Sequence, residues 1–327
     1  MNDKRKREIL WITMLTFLAA FPYIVYQDSF FLHTMIYLLF FIVMGAGLNL
    51  VMTTGQLSIG HAAFMGIGAY TCVILVMRYK WPFWLGWAGA AVCSGLCSWI
   101  LGRITLGIKG VFFGILTFAF GEIVRMLFVN LKFFGGTDGI TGIPAPPSIN
   151  VFGLFQISFE SKTQFYYLVM VFSLICLIIY FRIIKSQIGK VFKAIEQGDL
   201  LAECCGIDIM KYKLMAFVIG SVMAGMVGAL YAHYLTYISP QSFTFVESID
   251  MIIINVVGGA GTVAGPIYGA LYLVCLPEIF RFIKGYELII YAISLILVLF
   301  FLPKGIAGTI DLIKSRKIQS LRGHELG

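Results

Sequence analysis

Residues Ile184–Lys213 read IKSQIGKVFKAIEQGDLLAECCGIDIMKYK, a polar, mostly helix-compatible interval between two long apolar segments. Other connections between apolar segments are short, apart from the Gly- and Pro-containing stretch Asn130–Gln164. One long amphipathic interval in an otherwise apolar chain suits the docking of a soluble partner against a helix face. The runs around it are then read as membrane spans.

Composition agrees. Of 327 residues, 60% are hydrophobic and 12% charged, with a mean hydropathy of +0.92. A soluble domain carries about 25% charged residues, so half that load points to lipid as the solvent. At roughly 20 apolar residues per spanning helix, the chain supplies many spans and no separate soluble domain. Ten candidates follow: Ile9–Tyr26, Phe30–Met52, Ser58–Met77, Phe83–Leu101, Ile104–Phe128, Phe165–Phe181, Leu214–Tyr237, Phe245–Val257, Gly265–Phe282 and Leu288–Leu302. The eighth is short and a Gly-rich turn follows it, so a broken pair is expected there. The fold class is an all-α integral membrane protein of about ten helices, some broken or short, in a single domain over residues 1–327. The basic start Lys4-Arg5-Lys6-Arg7 precedes an apolar run without a small-residue cleavage site, so the first segment is expected to remain as an anchor.

Lys and Arg divide unevenly between the two faces that ten spans create. Seventeen lie at the N-terminus, at Arg103 and Lys109, in Arg182–Lys213 and in the tail from Lys304, against six on the opposite side. Basic loops stay in the cytoplasm, which places both termini and the 184–213 interval there. The net charge of +8 is accordingly a topology signal. No basic stripe with interleaved aromatics accompanies it, so no nucleic acid is expected as a partner. The seven cysteines show no CxxC spacing. Five lie in apolar segments as small hydrophobes, and Cys204 and Cys205 fall in the reducing cytoplasmic loop. No disulfide, metal site or cofactor is expected.

Glycine marks where the chain departs from a plain bundle. One cluster, TGQLSIGHAAFMGIGAY over Thr54–Tyr70, makes a thin helix whose small residues let backbones approach. The other, GGAGTVAGP over Gly258–Pro266, holds too many breakers for a continuous helix. Irregular backbone at membrane depth is tolerated where protein buries it or where it lines a water-filled cavity, so tight packing and a pathway lining are both open readings. Gly259 is expected to tolerate valine less well than Gly220, which lies in an otherwise regular span. Polar residues in spans need reasons of their own. Glu122 and Arg125 stand at i, i+3 and are expected to pair. His61 is expected to be a packed neutral histidine with one hydrogen-bond partner, and His233 to face outward. Asp250 is expected to cap the eighth span rather than touch a substrate.

Several chemistries are excluded by what the chain lacks. No G-x-x-x-x-G-K-[ST] occurs, so ATP phosphates are not cradled here. Gly259, Gly261 and Gly265 have the wrong spacing for a dinucleotide fingerprint. Neither H-E-x-x-H nor G-x-S-x-G is present. No catalytic residue is assigned, and the chain is not read as an enzyme.

The stretch SQIGKVFKAIEQGDLLAECCGIDIMKYKLMAF over Ser186–Phe217 resembles the segment by which branched-chain amino acid permeases of ABC importers meet their ATPase. Four further motifs follow the same family in order: GLNLVMTTGQLSIGHAAFMGIGAY, FGGTDGITGIP, VVGGAGTVAGPIYGALYL and LPKGIAG. Gln187 departs from a common proline, and Cys204-Cys205 from the usual small or acidic residues. The resemblance implies one half of a heterodimeric pore in a cell inner membrane, with a second homologous permease subunit, two cytoplasmic ATPase subunits and an extracytoplasmic solute-binding protein. ATP would be hydrolysed on the ATPases, and the solute would be a branched-chain or related amino acid. The same resemblance assigns ATPase coupling to Lys193, Ala194, Ile195, Glu196, Leu201, Ala202 and Gly206, with Ala194, Ile195, Leu201 and Ala202 near one face of a helix interrupted at Gly198. The pathway or gate falls to Gly55, Gln56, Ser58, Gly60, His61, Gly258, Gly259 and Gly261. The binding-protein side falls to Gly135, Gly136, Asp138 and Gly142. Alternatives are a same-family permease for urea or short amides and an ion-coupled secondary transporter. The latter needs mid-membrane ionisable groups, of which Glu122 is nearly the sole candidate.

Overall fold

Apolar runs without an internal breaker form long helices, and those interrupted by glycine form short ones. The computed structural model describes residues 18–313 apart from 24, 26, 27, 109, 152–154, 282, 284 and 311. Its main helices are α1 Ser29–Met52, α2 His61–Met77, α3 Phe83–Thr105, α4 Val111–Asn130, α5 Lys162–Lys185, α6 Gln187–Gln197, α7 Asp199–Cys204, α8 Ile209–Leu235, α9 Phe245–Gly258, α10 Gly265–Phe280 and α11 Glu287–Phe301. Helices α1, α3, α4, α5 and α8 have 20 residues or more, enough at about 1.5 Å per residue to cross a hydrocarbon layer about 30 Å thick. Helices α2, α9 and α10 have 17, 14 and 16 residues, and are too short to do so alone. The all-α membrane architecture expected from the sequence is therefore present, with short helices at both glycine clusters.

Local chemistry sets the helix starts. Asp28, Ser161, Ser186 and Asp208 each stand at an N-cap, with the side chain accepting from a backbone N–H of the first turn, which satisfies an otherwise orphaned donor. Of the expected boundaries that move, two bear on the site. The run Ile104–Phe128 is not one helix, because α3 stops at Thr105 and α4 starts at Val111, after Gly110 at φ 62°. Helix α2 starts at His61 rather than Ser58, leaving residues 54–60 irregular. The first candidate span lies mostly outside the described residues. Residues 18–23 are helical, and Tyr166 and Tyr167 of α5 donate their hydroxyls to the carbonyls of Leu18 and Ala19.

Helices α1, α2, α3 and α8 form the centre, packed at glycines. A β-carbon on Gly220 of α8 would collide with the Gly47 carbonyl of α1, and one on Gly228 with the Met65 carbonyl of α2. A β-carbon on Gly68 of α2 would likewise collide with the Gly225 carbonyl of α8, and one on Gly225 with Ser94 of α3. In lipid, helix association rests on such close dispersion contact, because the apolar drive between helices is weak. The expected tolerance of Gly220 is thus corrected: its span is regular, but the contact with Gly47 leaves no room for any side chain. Helices α9 and α10 fold back on each other and onto α1 in the same way, with Gly258 against the Gly265 carbonyl and Gly269 against that of Ile254.

At one end of the bundle, β1 Ile140–Thr141 pairs antiparallel with β4 Tyr237–Ile238, and β2 Ile149–Val151 pairs with β3 Phe155–Ile157. At the other end lie α6 and α7. The packing has a direct consequence. Gly228→Ala forces a backbone shift costing about 1–3 kcal/mol and is expected to lower the melting temperature of the purified protein. Gly107→Ala, whose β-carbon would meet nothing closer than Met210 Cε at 4.0 Å, is expected to leave it unchanged.

Candidate coupling and pathway site

Helices α6 and α7 are held to the bundle by their own apolar side chains. Phe192, Ile195 and Ala202 are buried. The expected shared apolar face is therefore split: Ile195 and Ala202 turn inward as anchors, and Ala194 is half-buried. Leu200 and Leu201, 72% and 71% exposed, are what this end offers outward, with Lys193 and Glu196 beside them. The break falls at Gly198, as the sequence suggests, and Gly206 follows α7 in a left-handed turn. One residue missed by the sequence reading fastens α7 to α8. Lys213 Nζ donates to Asp199 Oδ2 at 2.9 Å, and the lysine side chain is only 3% exposed.

Both glycine turns meet this element. Gly55 and Gly261 take φ values of 75° and 70°, which glycine adopts at no steric cost. A β-carbon on Gly55 would stand 3.5 Å from Glu196 Cα, and one on Gly261 3.6 Å from Glu196 Oε1. Glu196 of α6 thus lies next to the turn before α2 and the turn before α10, within reach of one added methyl group at each. Partial burial raises the pKa of its carboxyl, and the nearby Lys193 ammonium opposes that rise.

The first turn is tied to its neighbours by single bonds. Gln56 Nε2 donates to the Ile108 carbonyl at 3.2 Å, Ile59 N to Thr117 Oγ1 at 3.0 Å, and Ala62 N to Ser248 Oγ of α9 at 2.9 Å. Gly60 is pressed onto the Thr117 carbonyl. His61 is fully buried between Gly47 and Gly220. The one partner expected for it is the Gly220 backbone alongside, at a geometry looser than an ordinary hydrogen bond. Gln56 Oε1 and Ser58 Oγ are buried and unpartnered. Buried polar atoms left without a partner carry a desolvation cost, and Gln56, Ser58 and His61 place part of that cost at residues 56–61.

The second turn is built on close backbone approach. Gly259 has φ 113°, and Gly305, itself at φ 69°, packs onto the Gly259 backbone. This contact explains the LPKGIAG stretch, which lines the turn. Thr262 Oγ1 donates back to the Gly259 carbonyl at 2.6 Å. Above it runs a network the sequence reading also missed. Tyr180 donates to Asn49 Oδ1 at 3.0 Å and to the Thr262 carbonyl at 3.3 Å. Asn49 Nδ2 donates to Asn255 Oδ1 at 2.8 Å, and Asn255 Nδ2 to the carbonyls of Gly45 and Met251. All three side chains are fully buried. Amides inside apolar segments were the visible signal, since each requires a partner at that depth.

At the opposite end, Gly135 and Gly136 are half-buried and shape the turns between two 3₁₀ segments, whereas Asp138 and Gly142 are exposed. The loop is clamped to α8. Ile143 N donates to the Thr236 carbonyl at 3.1 Å, and His233 Nδ1 donates to the Pro144 carbonyl at 2.6 Å. His233 is therefore buried rather than outward-facing, with Cys72 Sγ 3.5 Å from its other nitrogen. Glu122 and Arg125 pair at 2.8 Å as expected. Asp250 does not cap α9, because Thr244 occupies the N-cap and Asp250 lies in the second turn.

Comparison with known proteins follows the same lines. A family profile for the branched-chain amino acid transport system permease component matches residues 30–302. The LivM high-affinity branched-chain amino acid transport permease of Salmonella typhimurium is 29% identical over 92% of this chain and 75% of its own length. Its Escherichia coli counterpart is 28% identical over the same shares. The LivH permease of Escherichia coli is 24% identical over 78% of this chain and 86% of its own.

The buried Lys213–Asp199 pair makes a test of how α7 is held. Asp199→Leu leaves an uncompensated buried ammonium and is expected to destabilise the protein by about 3–5 kcal/mol. Combining it with Lys213→Met is expected to recover most of that loss. Melting curves of the two variants measure it.

Proposed function

The chain belongs to the family of branched-chain amino acid transport permease components, and we propose that it forms one half of the membrane pore of an ATP-driven importer. In this reading a homologous permease subunit completes the pore, two ATPase subunits dock on α6 and α7, and a solute-binding protein delivers branched-chain amino acids at the 130–164 loop. Similarity to both LivM and LivH permeases, named for one high-affinity transport system, supports the paired arrangement. The basic residues support the orientation, with both termini and α6–α7 in the cytoplasm.

The observation that carries the reading is the placement of Glu196. A push on α6 from a docked ATPase reaches the turns at Gly55 and Gly261 without an intermediate. Each turn precedes a short helix, α2 or α10, so a shift there re-aims a helix that ends inside the bundle. Lys193, Ala194, Glu196, Leu200 and Leu201 form the docking surface, while Ile195, Ala202 and Gly206 fix its shape. Gln56, Ser58, Gly60 and His61, with Gly258, Gly259 and Gly261, form the moving gate. Asp138 and Gly142 face the binding protein, and Gly135 and Gly136 hold their loop. ATP hydrolysis belongs to the partners.

Two measurements test this. In vesicles containing the complete complex, leucine uptake is expected to survive collapse of proton and sodium gradients and to stop when ATP is withdrawn. Gradient-driven uptake without nucleotide would favour the secondary transporter. Ala194→Asp and Leu201→Asp, which place a charge on the docking surface, are each expected to abolish uptake and stimulated ATP hydrolysis at unchanged membrane levels. Normal transport by either variant, correctly inserted, would remove that residue from the docking surface.

A further inference from the structure

A cavity of about 110 Å³ lies between α1, α8 and α9 in the half of the bundle nearer the 130–164 loop, and nothing above assigns it a role. Tyr37, Phe40 and Met44 of α1 form one wall, Tyr231 of α8 another, and Glu247 and Asp250 of α9 the third. Among the described residues neither carboxylate has an ion-pair or hydrogen-bond partner. Two acids at i, i+3 share one helix face and repel when both are ionised, which is costly inside a membrane and is relieved by a proton or by a cation that joins them. The other walls suit a cation as well. His33 and Tyr37 lie 4.6 Å apart between ring centroids, Tyr37 and Tyr231 5.9 Å, and Phe40 and Tyr231 6.3 Å. Aromatic faces attract ammonium groups, most strongly where water is thinned. This track starts at His33, one turn into α1 and held by Tyr234 at 2.8 Å, and ends at the acids.

We propose that this cavity binds the ammonium group of the transported solute, with Glu247 and Asp250 as its counter-charges and Tyr37, Phe40 and Tyr231 as its aromatic walls. The proposal rests on the permease reading above and gives that pathway a recognition site. The space holds several water molecules, which fits an ammonium head and its first carbons. The apolar remainder of the solute packs toward Met44. A primary ammonium is required, and a carboxylate on the solute adds nothing at this point.

The test uses the assembled permease–ATPase complex without the binding protein and measures binding of radiolabelled leucine. Saturable binding is expected, displaced by isoamylamine, which keeps the ammonium, and not by isocaproate, which keeps the carboxylate. Asp250→Asn and Glu247→Gln are each expected to weaken binding about ten-fold or more, the usual effect of losing a hydrogen bond to a charged group. Unchanged binding in both variants, displacement by isocaproate instead of isoamylamine, or no saturable binding overturns the proposal. If a variant fails to assemble, the displacement pattern of the unaltered complex decides. Loss of ATP-driven uptake by the unaltered complex would instead refute the permease reading, so the two failures are distinguishable.

Discussion

Backbone polar groups inside a membrane must find partners within the protein, and the rest of this structure depends on how two interrupted helices meet that demand. Helix α2 begins and helix α9 ends inside the bundle, so their terminal N–H and C=O groups have no lipid-compatible alternative. Ser248 serves the N–H of Ala62, and Thr117 that of Ile59. Tyr180 and Thr262 do the same around the second turn. Glycines at 47, 60, 220, 258, 259 and 305 allow the close approach that puts these partners within reach. The small residues and the buried polar ones are parts of one arrangement.

In the proposed mechanism, that arrangement also makes motion available at the two turns. Long helices such as α1 and α8 are locked at glycine contacts along their length. The turns at residues 53–60 and 259–264 lack a regular helical hydrogen-bond ladder and are held by side-chain bonds and glycine contacts, and the first keeps unpartnered atoms on Gln56, Ser58 and His61. A segment without that ladder changes arrangement at lower cost than a long regular helix. Glu196 stands against both turns, while Lys213 and Asp199 fix α7 to α8 so that a displacement of the docking element is not absorbed within it.

Much of this was legible in the sequence, for identifiable reasons. Low charge and long apolar runs declare the membrane, and consecutive glycines at 258, 259 and 261 declare a break, because periodicity and breakers are local properties. The helix break at Gly198 was visible in the same way. The misreadings share a different cause, which is that a residue's neighbours across the fold are not written beside it. Gly220 looks dispensable in a regular span until Gly47 is placed against it. Ile195 and Ala202 look like a docking face until the bundle covers them. Asn49, Asn255 and Lys213 could have been flagged as polar groups requiring partners, but the partners lie 206 residues apart for the asparagines and 14 for the lysine. The pairing of Glu247 and Asp250 with aromatics of α1 and α8 is a property of packing alone.

The central claim is that Glu196 carries the movement of the docking element to both glycine turns. The most direct measurement is the ratio of solute imported to ATP hydrolysed by the complete transporter carrying Glu196→Ala. The ratio is predicted to fall at least about five-fold, the lower end of ordinary coupling between sites, while hydrolysis stimulated by the loaded binding protein continues. An unchanged ratio, with the variant assembled and hydrolysing ATP normally, would contradict the account.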